Sequence, residues 1–438
     1  MDNRKNIIMA KTNYSHAFLV GVFDKAPSII DLERKGWIHS PLSVKEYQRD
    51  CSTYYKSHID AMAELNSVES SEQKRPDFLL SIKHYYHKIN EDKRQIKLSG
   101  TKYNPKSEET EIVYLNSYNL IICGLHIYYF PLEIAFYVIE IDDSSSELND
   151  LTQGHYWLMT LSPFLLNHSK DQLNKTLEPL TSIANVKNYF ELLHRGNKMK
   201  LFQIVQTESC QIGEQEKQAL LYEIGTSTAI GSVTANNHMS PALDYVDAIL
   251  KENTISAFKE WKALSLMDSF TVLSFESRFD PWACLNQYFP YIYLRCIYEK
   301  AFCFSRNDMF RIDKKGKNLN KEMMVMEKYY FYDDISYNFL PNMIYKSMAK
   351  GLGLKEEKNY LFKQIKEKAD NNKSIWLSSL SALAVFSVCN TLSTNIKNLV
   401  NLIWDVDDYD IIINVVLFGI ALVVSALTFC FLYSNRKI

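Results

Sequence analysis

The chain has 438 residues, of which 47% are hydrophobic and 23% are charged, and its formal net charge at neutral pH is -2. The 49 Lys and Arg residues nearly balance the 51 Asp and Glu residues, which argues against direct nucleic-acid binding. The 8 cysteines include no Cys-x-x-Cys pair, which argues against a zinc ribbon or a disulfide scaffold. The length is sufficient for a large core and for more than one domain.

The N-terminal part of the chain combines strand-like and helix-like patterns. A first strand is predicted over residues 15–24, helices over 44–65 and 77–90, and two or three strands over 111–142. Pro131 is expected at a turn or a strand edge, since proline cannot donate a backbone hydrogen bond to a sheet. The start of the chain shows no apolar signal-peptide core, so we expect this part to be cytosolic.

The same interleaving continues toward residue 345. The patterns predict a helix over 169–193, strands over 198–206 and 218–225, a helix over 241–263, a strand over 269–276 and a helix over 291–304. Strands that alternate with helices are typical of α/β domains. We therefore predict a cytosolic α/β domain over residues 1–345.

Residues 346–373 are predicted to form a charged stalk helix. No Gly or Pro occurs between Leu354 and Gly419, so a helix that begins at Leu354 can continue for a long distance. Leu361 and Ile365 fall at helical spacing, with charged residues between them.

Residues 374–438 are predicted to form a two-helix transmembrane hairpin. The two apolar runs, 375–392 and 411–433, carry no charged residue, and each reaches the length needed to cross a bilayer. Lysines precede the first run, Arg436 and Lys437 follow the second, and the connecting loop is acidic. The positive-inside bias therefore predicts a multi-pass protein of the cytoplasmic (inner) membrane with both termini in the cytosol.

Polar side chains in the first run suggest a pore. Ser387, Asn390, Thr391 and Thr394 share one face of an ideal helix, and an amide at membrane depth needs water or a polar partner. The alternative is close packing of membrane helices through small hydroxyl-bearing residues.

Four aspartates end the segment between the two runs. They are Asp405, Asp407, Asp408 and Asp410. In a symmetric oligomer they would form an outer collar that concentrates cations, and in the alternative they form only a solvated end of the loop.

The layout of a cytosolic α/β domain, a stalk helix, two spans and a basic end resembles the CorA-type divalent-cation channels. That resemblance implies a homopentamer whose first span lines the pore. The family's Gly-Met-Asn signature is replaced here by NTLSTN over residues 390–395, so the resemblance does not imply magnesium selectivity. In lacking the signature, the chain is similar to the CorA-like effectors associated with type III CRISPR systems. In those effectors a nucleotide second messenger binds the cytosolic domain and changes membrane permeability.

The expected function is therefore a ligand-gated homo-oligomeric ion channel that acts in antiviral defence and is opened by a nucleotide second messenger. The resemblance implies divalent cations as the permeant ions. The expected partners of the two spans are membrane lipids. The alternatives are a divalent metal transporter and a membrane-tethered enzyme or scaffold. No catalytic motif is present in the sequence, so we expect no enzyme activity.

A weaker ligand-binding candidate lies in LLYEIGTSTAIGSVTANNH, over residues 220–238. The hydroxyls of Thr226, Ser227, Thr228 and Ser232, together with backbone N–H groups, could cradle a phosphate. The segment lacks the Gly-Lys-Ser/Thr of a Walker A loop, and the alternative is a plain connection.

His84 and His87 are three residues apart on the helix predicted over 77–90. That spacing could place two imidazoles beside one metal ion, but the sequence offers no third ligand. The alternative is a solvated helix face, so any metal site remains unassigned.

Overall fold

The structure is a computed structural model. It describes residues 11–40, 82–98, 118–143, 147–160, 167–183, 198–207, 213–234, 240–276, 278–281, 284, 289–311, 319–403, 416, 419 and 423. The chain divides into two compact units, Met1–Lys358 and Asn359–Ile438.

The first unit is built on a ten-stranded sheet with the order β2-β3-β5-β6-β1-β7-β10-β9-β8, in which β4 also pairs with β5. Among the described strands β7 and β10 pair in parallel, and the other neighbours are antiparallel. The strands are β1 (Thr12–Val22), β2 (Ile38–His39), β3 (Lys83–Lys88), β4 (Gln95–Leu98), β5 (Tyr118–Phe130), β6 (Ile134–Asp142), β7 (Lys200–Thr207), β8 (Thr254–Ile255), β9 (Lys262–Ser265) and β10 (Ser269–Ser274).

Ten helices are described. They are α1 (Ile29–Arg34), α2 (Glu91–Arg94), α3 (Leu148–Thr160), α4 (Asn167–Thr181), α5 (Glu214–Thr226), α6 (Leu243–Asn253), α7 (Phe289–Arg311), α8 (Leu319–Tyr329), α9 (Phe339–Gly351) and α10 (Leu354–Ile403).

Alternation along the strands gives the sheet two different faces. One face, which we call the core face, buries apolar residues such as Leu19, Ile127 and Ile139 in one hydrophobic cluster. The opposite face carries aromatic and polar side chains and packs against α7, so we call it the α7 face. Tyr298 of α7 stacks on Phe130 at a ring-centroid distance of 4.6 Å. The polar residues of the α7 face form the candidate site described below.

Most of the strong strand and helix patterns are confirmed. β1, β7, β10 and α7 lie where the sequence predicts them, and Pro131 follows β5 in a turn. The helix predicted over 44–65 lies outside the described residues.

Two short predictions are wrong, and the helix predicted over 241–263 is wrong beyond Asn253, where β8 and β9 follow α6. Residues 218–225 were predicted as a strand and belong to α5, because a short, continuously buried run fits either state. Residues 83–88 were predicted within a helix and form β3, antiparallel to β5. Their tyrosines favour strands once a pairing partner is available.

The second unit corrects the predicted transmembrane hairpin. Within the described part of the chain, no helix is long and apolar enough to span a lipid bilayer. α10 is one helix of 50 residues, about 75 Å long at 1.5 Å per residue, and it runs through the predicted end of the first span at residue 392. Serine, threonine and asparagine interrupt that apolar run, and residues 411–433 are described at only three positions. The predictions of a transmembrane hairpin, a multi-pass inner-membrane location and a membrane channel are therefore wrong.

Gly351, the last residue of α9, is expected to tolerate no side chain. A Cβ atom at this position would lie 2.7 Å from the backbone carbon and oxygen of Ser265 on β9, so backbone would have to move. We expect Gly351→Ala to lower the free energy of unfolding by about 1–3 kcal/mol. Urea denaturation measures this change, with the exposed Lys355→Ala as a control that should stay within about 0.5 kcal/mol. Equal stabilities of the two variants would contradict the close packing.

Candidate functional site

Four titratable side chains meet on the α7 face, and we call them the histidine–glutamate cluster. They are His16 on β1, His84 on β3, His126 on β5 and Glu140 on β6. His16 Nε2 lies 3.0 Å from Glu140 Oε1, and His126 Nε2 lies 3.2 Å from Glu140 Oε2. His84 Nε2 lies 3.0 Å from His126 Nδ1. The four side chains therefore form a continuous hydrogen-bonded chain across four strands.

The strand order explains how residues far apart in sequence meet. β3, β5, β6 and β1 are consecutive neighbours in the sheet. The register pairs Phe18 with Glu140 and His126 with Val138, so His16 and His126 are each displaced by two residues from the position opposite Glu140. His84 lies opposite Tyr128, two residues from His126 along β5. Such diagonal neighbours on one face lie within reach of long side chains.

Charge in the cluster is concentrated on Glu140. Burial alone raises the pKa of Glu140, but hydrogen bonds from His126 and His16 outweigh burial and hold that pKa well below its usual value. Burial, reinforced by the neighbouring His126 ring, lowers the pKa of His84 to about 3. At neutral pH the cluster therefore combines an ionised carboxylate with a neutral His84.

Ring stacking fixes the orientation of the imidazoles. The His84 ring lies 4.4 Å from the Tyr128 ring at an interplanar angle of 4°, and 5.2 Å from the His126 ring at 17°. Because the rings cover one another's faces, the ring nitrogens lie at the edges of the stack. An arrangement of edges suits hydrogen bonding better than stacking of a ligand.

Gly124 makes room for the cluster. A Cβ atom at this position would lie 2.6 Å from Cε2 of Tyr86 and 2.9 Å from Oε2 of Glu140. The absence of a side chain therefore lets the Tyr86 ring approach the carboxylate.

The cluster is partly exposed to solvent. The side chains of His16, His126 and Glu140 are 11%, 12% and 21% exposed, so water reaches the hydrogen-bonded chain. Tyr14 lies at the same end of the face, where burial and the charges of Asp142 and Glu140 raise its pKa. These residues form a polar, partly accessible site within a mostly apolar sheet.

The charge of Glu140 also acts on the thiol of Cys123. Burial and the charges of Glu140 and Asp142 raise the pKa of Cys123 to about 12. The thiol is therefore protonated at neutral pH and is a poor nucleophile.

The predicted phosphate loop is occupied by the protein's own groups. Thr226 Oγ1 donates to the carbonyl of Tyr222 at 2.8 Å, and Ser227 caps α5 in the left-handed conformation with φ 53°. The Glu223 carboxylate accepts backbone N–H bonds from Gly231 at 2.9 Å and Val233 at 2.8 Å. Two N–H groups that could have faced a phosphate thus face an internal carboxyl group.

The other two hydroxyls of that loop also bond locally. Ser232 Oγ donates to Thr228 Oγ1 at 3.4 Å, and Thr228 Oγ1 lies 3.0 Å from Thr226 Oγ1. Phosphate binding by these residues stays a prediction, and their contacts favour the plain-connection alternative.

The two histidines that the sequence suggested as a metal-binding pair lie on opposite faces of the sheet. Because β3 is a strand, His84 and His87 point to opposite faces. In the described part of the chain, no group of three or more His, Cys, Asp or Glu side chains is arranged to hold a metal ion.

The predicted pore residues lie on α10 or beyond it. Ser387 and Thr391 are exposed, and Thr391 Oγ1 donates to the Ser387 carbonyl at 2.9 Å. Asn390 and Thr394 belong to the same helix. The collar residues Asp405, Asp407, Asp408 and Asp410 lie outside the described residues. The pore and collar roles depended on the transmembrane hairpin and are not carried forward.

Sequence reasoning missed His16, His126 and Glu140. Each is a polar residue within an otherwise apolar strand, in SHAFLVGV, GLHIYYF and FYVIEID. A polar side chain on a buried strand requires a partner, and that requirement was the available signal. That requirement identifies neither the partner residue nor the register in which the strands pair.

No protein-family model, curated protein or solved structure matches this chain. The geometry of the histidine–glutamate cluster therefore carries the functional proposal.

Proposed function

We propose that the first unit is a ligand-binding module and that the histidine–glutamate cluster is its site. The observation that carries this proposal is the partly exposed hydrogen-bonded chain in which His16 and His126 bond to the ionised carboxylate of Glu140 and His84 bonds to His126. Titratable groups with shifted pKa values, gathered where solvent can reach them, are typical of binding and active sites. A purely structural network would be expected deeper in the core, as is the case for His155 between Asp143 and Gln203.

The ligand that we propose is a nucleotide second messenger, and the hydrogen-bonding chemistry of the site supports this choice. Imidazole edges and a carboxylate provide the hydrogen-bond acceptors and donors that read the edge of a nucleobase. Arg94, whose Nε donates to the carbonyl of Ile89 at 3.1 Å, places a positive charge near Tyr86, and we propose that its guanidinium contacts a phosphate group of the ligand.

We propose a binding role rather than catalysis. The thiol of Cys123 is held protonated, as described above, and catalysis by nucleophilic attack requires an activated group. The imidazoles of His16 and His126 both bond to Glu140, which favours a fixed recognition surface.

Self-association is part of the same proposal. Leu380, Leu383 and Val388 on α10 are 57%, 64% and 59% exposed in the single chain. A second copy of the helix would cover such side chains, in agreement with the homo-oligomer that the sequence predicts. Light scattering on the purified chain tests this point, and a monomer at micromolar concentration would contradict it.

The binding site is tested by isothermal titration calorimetry with AMP, ATP and cyclic di-AMP as probes. We expect at least one probe to bind, and Glu140→Gln to weaken its binding at least tenfold, about 1.4 kcal/mol. The matched control is Glu178→Gln, at an exposed position on α4, which should bind as the unmodified chain does. Heat changes absent for all three probes, or equal affinities in both variants, would rule out this site for adenine nucleotides.

A further inference from the structure

A buried charge cluster lies at the start of α10, and Glu299 of α7 is its centre. The Glu299 carboxylate contacts Arg295 Nε at 3.0 Å and Lys358 Nζ at 2.6 Å, and it accepts the hydroxyl of Tyr345 at 3.2 Å. Arg295 also donates to the carbonyl of Tyr330. Three helices thus meet at one carboxylate, and Arg295 links the segment after α8 to them.

The two cations at Glu299 are not equivalent. The side chains of Arg295 and Glu299 are 0% exposed, whereas that of Lys358 is 18% exposed. If the Lys358 ammonium moves into water, Arg295 and Glu299 remain as a neutral, hydrogen-bonded pair. If Arg295 or Glu299 is lost, a buried charge remains without its main partner. Lys358 is therefore the cation of this cluster that can move into solvent without leaving a buried charge unpaired.

A path of ring contacts, with one step along the β5 backbone from Tyr128 to Phe130, connects this charge cluster with the histidine–glutamate cluster. The His84 ring stacks on Tyr128, and Phe130 lies two residues further along β5 on the same face. Phe130 stacks on Tyr298 at 4.6 Å, and Tyr298 contacts the Tyr330 ring at 4.7 Å. The guanidinium carbon of Arg295 then lies 5.2 Å from the Tyr330 ring centroid.

We propose that Lys358 is a releasable latch that holds the first turn of α10 against α7, and that the ring path couples the latch to the histidine–glutamate cluster. The inference rests on the proposed function, because it assigns the regulation of that ligand site. The closed state is the one described here, and in the open state Lys358 is hydrated. A ligand shifts this equilibrium only if it binds the two states with different affinity. The same turn is also held by Asn307 Nδ2, which donates to Glu357 Oε2 at 3.1 Å, so opening loosens the turn without detaching it.

The latch is tested without any ligand, by hydrogen–deuterium exchange of the backbone amides over residues 358–366. We expect Lys358→Met to increase the exchange rate at least fivefold, because the turn loses its ion pair. The matched control is Lys355→Met, an exposed lysine of the same turn, which should leave the rate unchanged. Equal rates in the two variants would overturn the latch.

The coupling is tested with variants at the other end of the path. We expect Glu140→Gln to change the exchange rate over residues 358–366 at least twofold, and Glu178→Gln to leave it unchanged. His16→Gln removes one of two imidazole donors to Glu140 and is the milder second variant should Glu140→Gln fold poorly. Unchanged exchange in both cluster variants would overturn the coupling. Because no ligand is used, unchanged exchange would not contradict the proposed binding site. Failure of nucleotide binding would in turn not contradict the latch.

Discussion

Glu299→Gln is expected to lower the free energy of unfolding by about 3–5 kcal/mol. The substitution leaves the guanidinium of Arg295, fully buried on α7, without its counter-charge, and removing one partner of a buried ion pair has effects of this size. The glutamine amide keeps one acceptor oxygen for the donors of Arg295, Tyr345 and Lys358, and the Lys358 ammonium loses its counter-charge at the same time. Urea denaturation followed by tryptophan fluorescence measures the change.

The matched control for Glu299→Gln is Glu214→Gln. Glu214 pairs with Lys262 at the surface, where its side chain is 60% exposed, and exposed pairs contribute only about 0–1 kcal/mol. A second variant, Arg295→Met combined with Glu299→Gln, removes the orphaned charge and should recover part of the loss. Similar stabilities of the Glu299 and Glu214 variants would contradict the buried charge cluster.

The second large effect is expected in acid. The pKa of His84 falls from an ordinary value of 6.5 to about 3 in the folded protein, chiefly through burial and then through the His126 charge. Between these two pH values the unfolded chain binds a proton that the folded protein does not bind. Stability should therefore fall as the pH drops below 6.5, with a slope of up to about 1.4 kcal/mol per pH unit.

The groups around His84 shift its pKa in opposite directions. The charges of His126 and His39 lower its pKa further, whereas Glu140 and a backbone hydrogen bond at Ser40 oppose the shift. The pKa of Glu140 is itself lower in the folded protein than its ordinary value of 4.5, so its stabilising effect is present above pH 4.5 and is lost below it. Both residues thus predict greater stability at neutral pH than in acid.

His84→Phe separates the contribution of His84 to the pH dependence of stability from that of Glu140. Phenylalanine keeps a ring between Tyr128 and His126 but cannot take up a proton, so the stability of the variant should depend less steeply on pH between 6.5 and 4.5. Urea denaturation at several pH values gives the slope, whatever the stability of the variant at neutral pH. A slope equal to that of the unmodified chain would show that His84 does not titrate in this way.

The parts of the fold predicted correctly from sequence are those with a strong local pattern. β1, β7 and β10 are apolar runs, and α7 is a long apolar segment, so their type follows from residues close in sequence. α5 and β3 were misassigned because their type depends on distant partners. β3 is a strand because β5 offers it a hydrogen-bonding edge.

The candidate site depends on information that no local pattern contains. His16 and Glu140 are separated by 124 residues, and they meet because β1 and β6 pair in a particular register. A shift of that register by one residue would move either side chain to the other face of the sheet. The sequence shows that these polar residues need partners, but only the pairing of the strands identifies them.

The error at the C-terminal end has a different origin. Uncharged apolar runs over 375–392 and 411–433 were interpreted as membrane spans from composition alone. The described helix instead continues through polar residues to Ile403 without the predicted boundary. Composition does not determine where a helix ends, because Ser393, Thr394 and Asn395 are compatible with both a loop and a helix.

The central claim is that the histidine–glutamate cluster binds the ligand, and histidine side-chain NMR tests it most directly. In a titration of the full chain with AMP, ATP and cyclic di-AMP, we expect the imidazole signals of His16 and His126 to shift and saturate. The buried His155, which bonds to Asp143 and Gln203, is the internal control and should not shift. A nucleotide that binds by calorimetry but leaves His16 and His126 unshifted would contradict the claim.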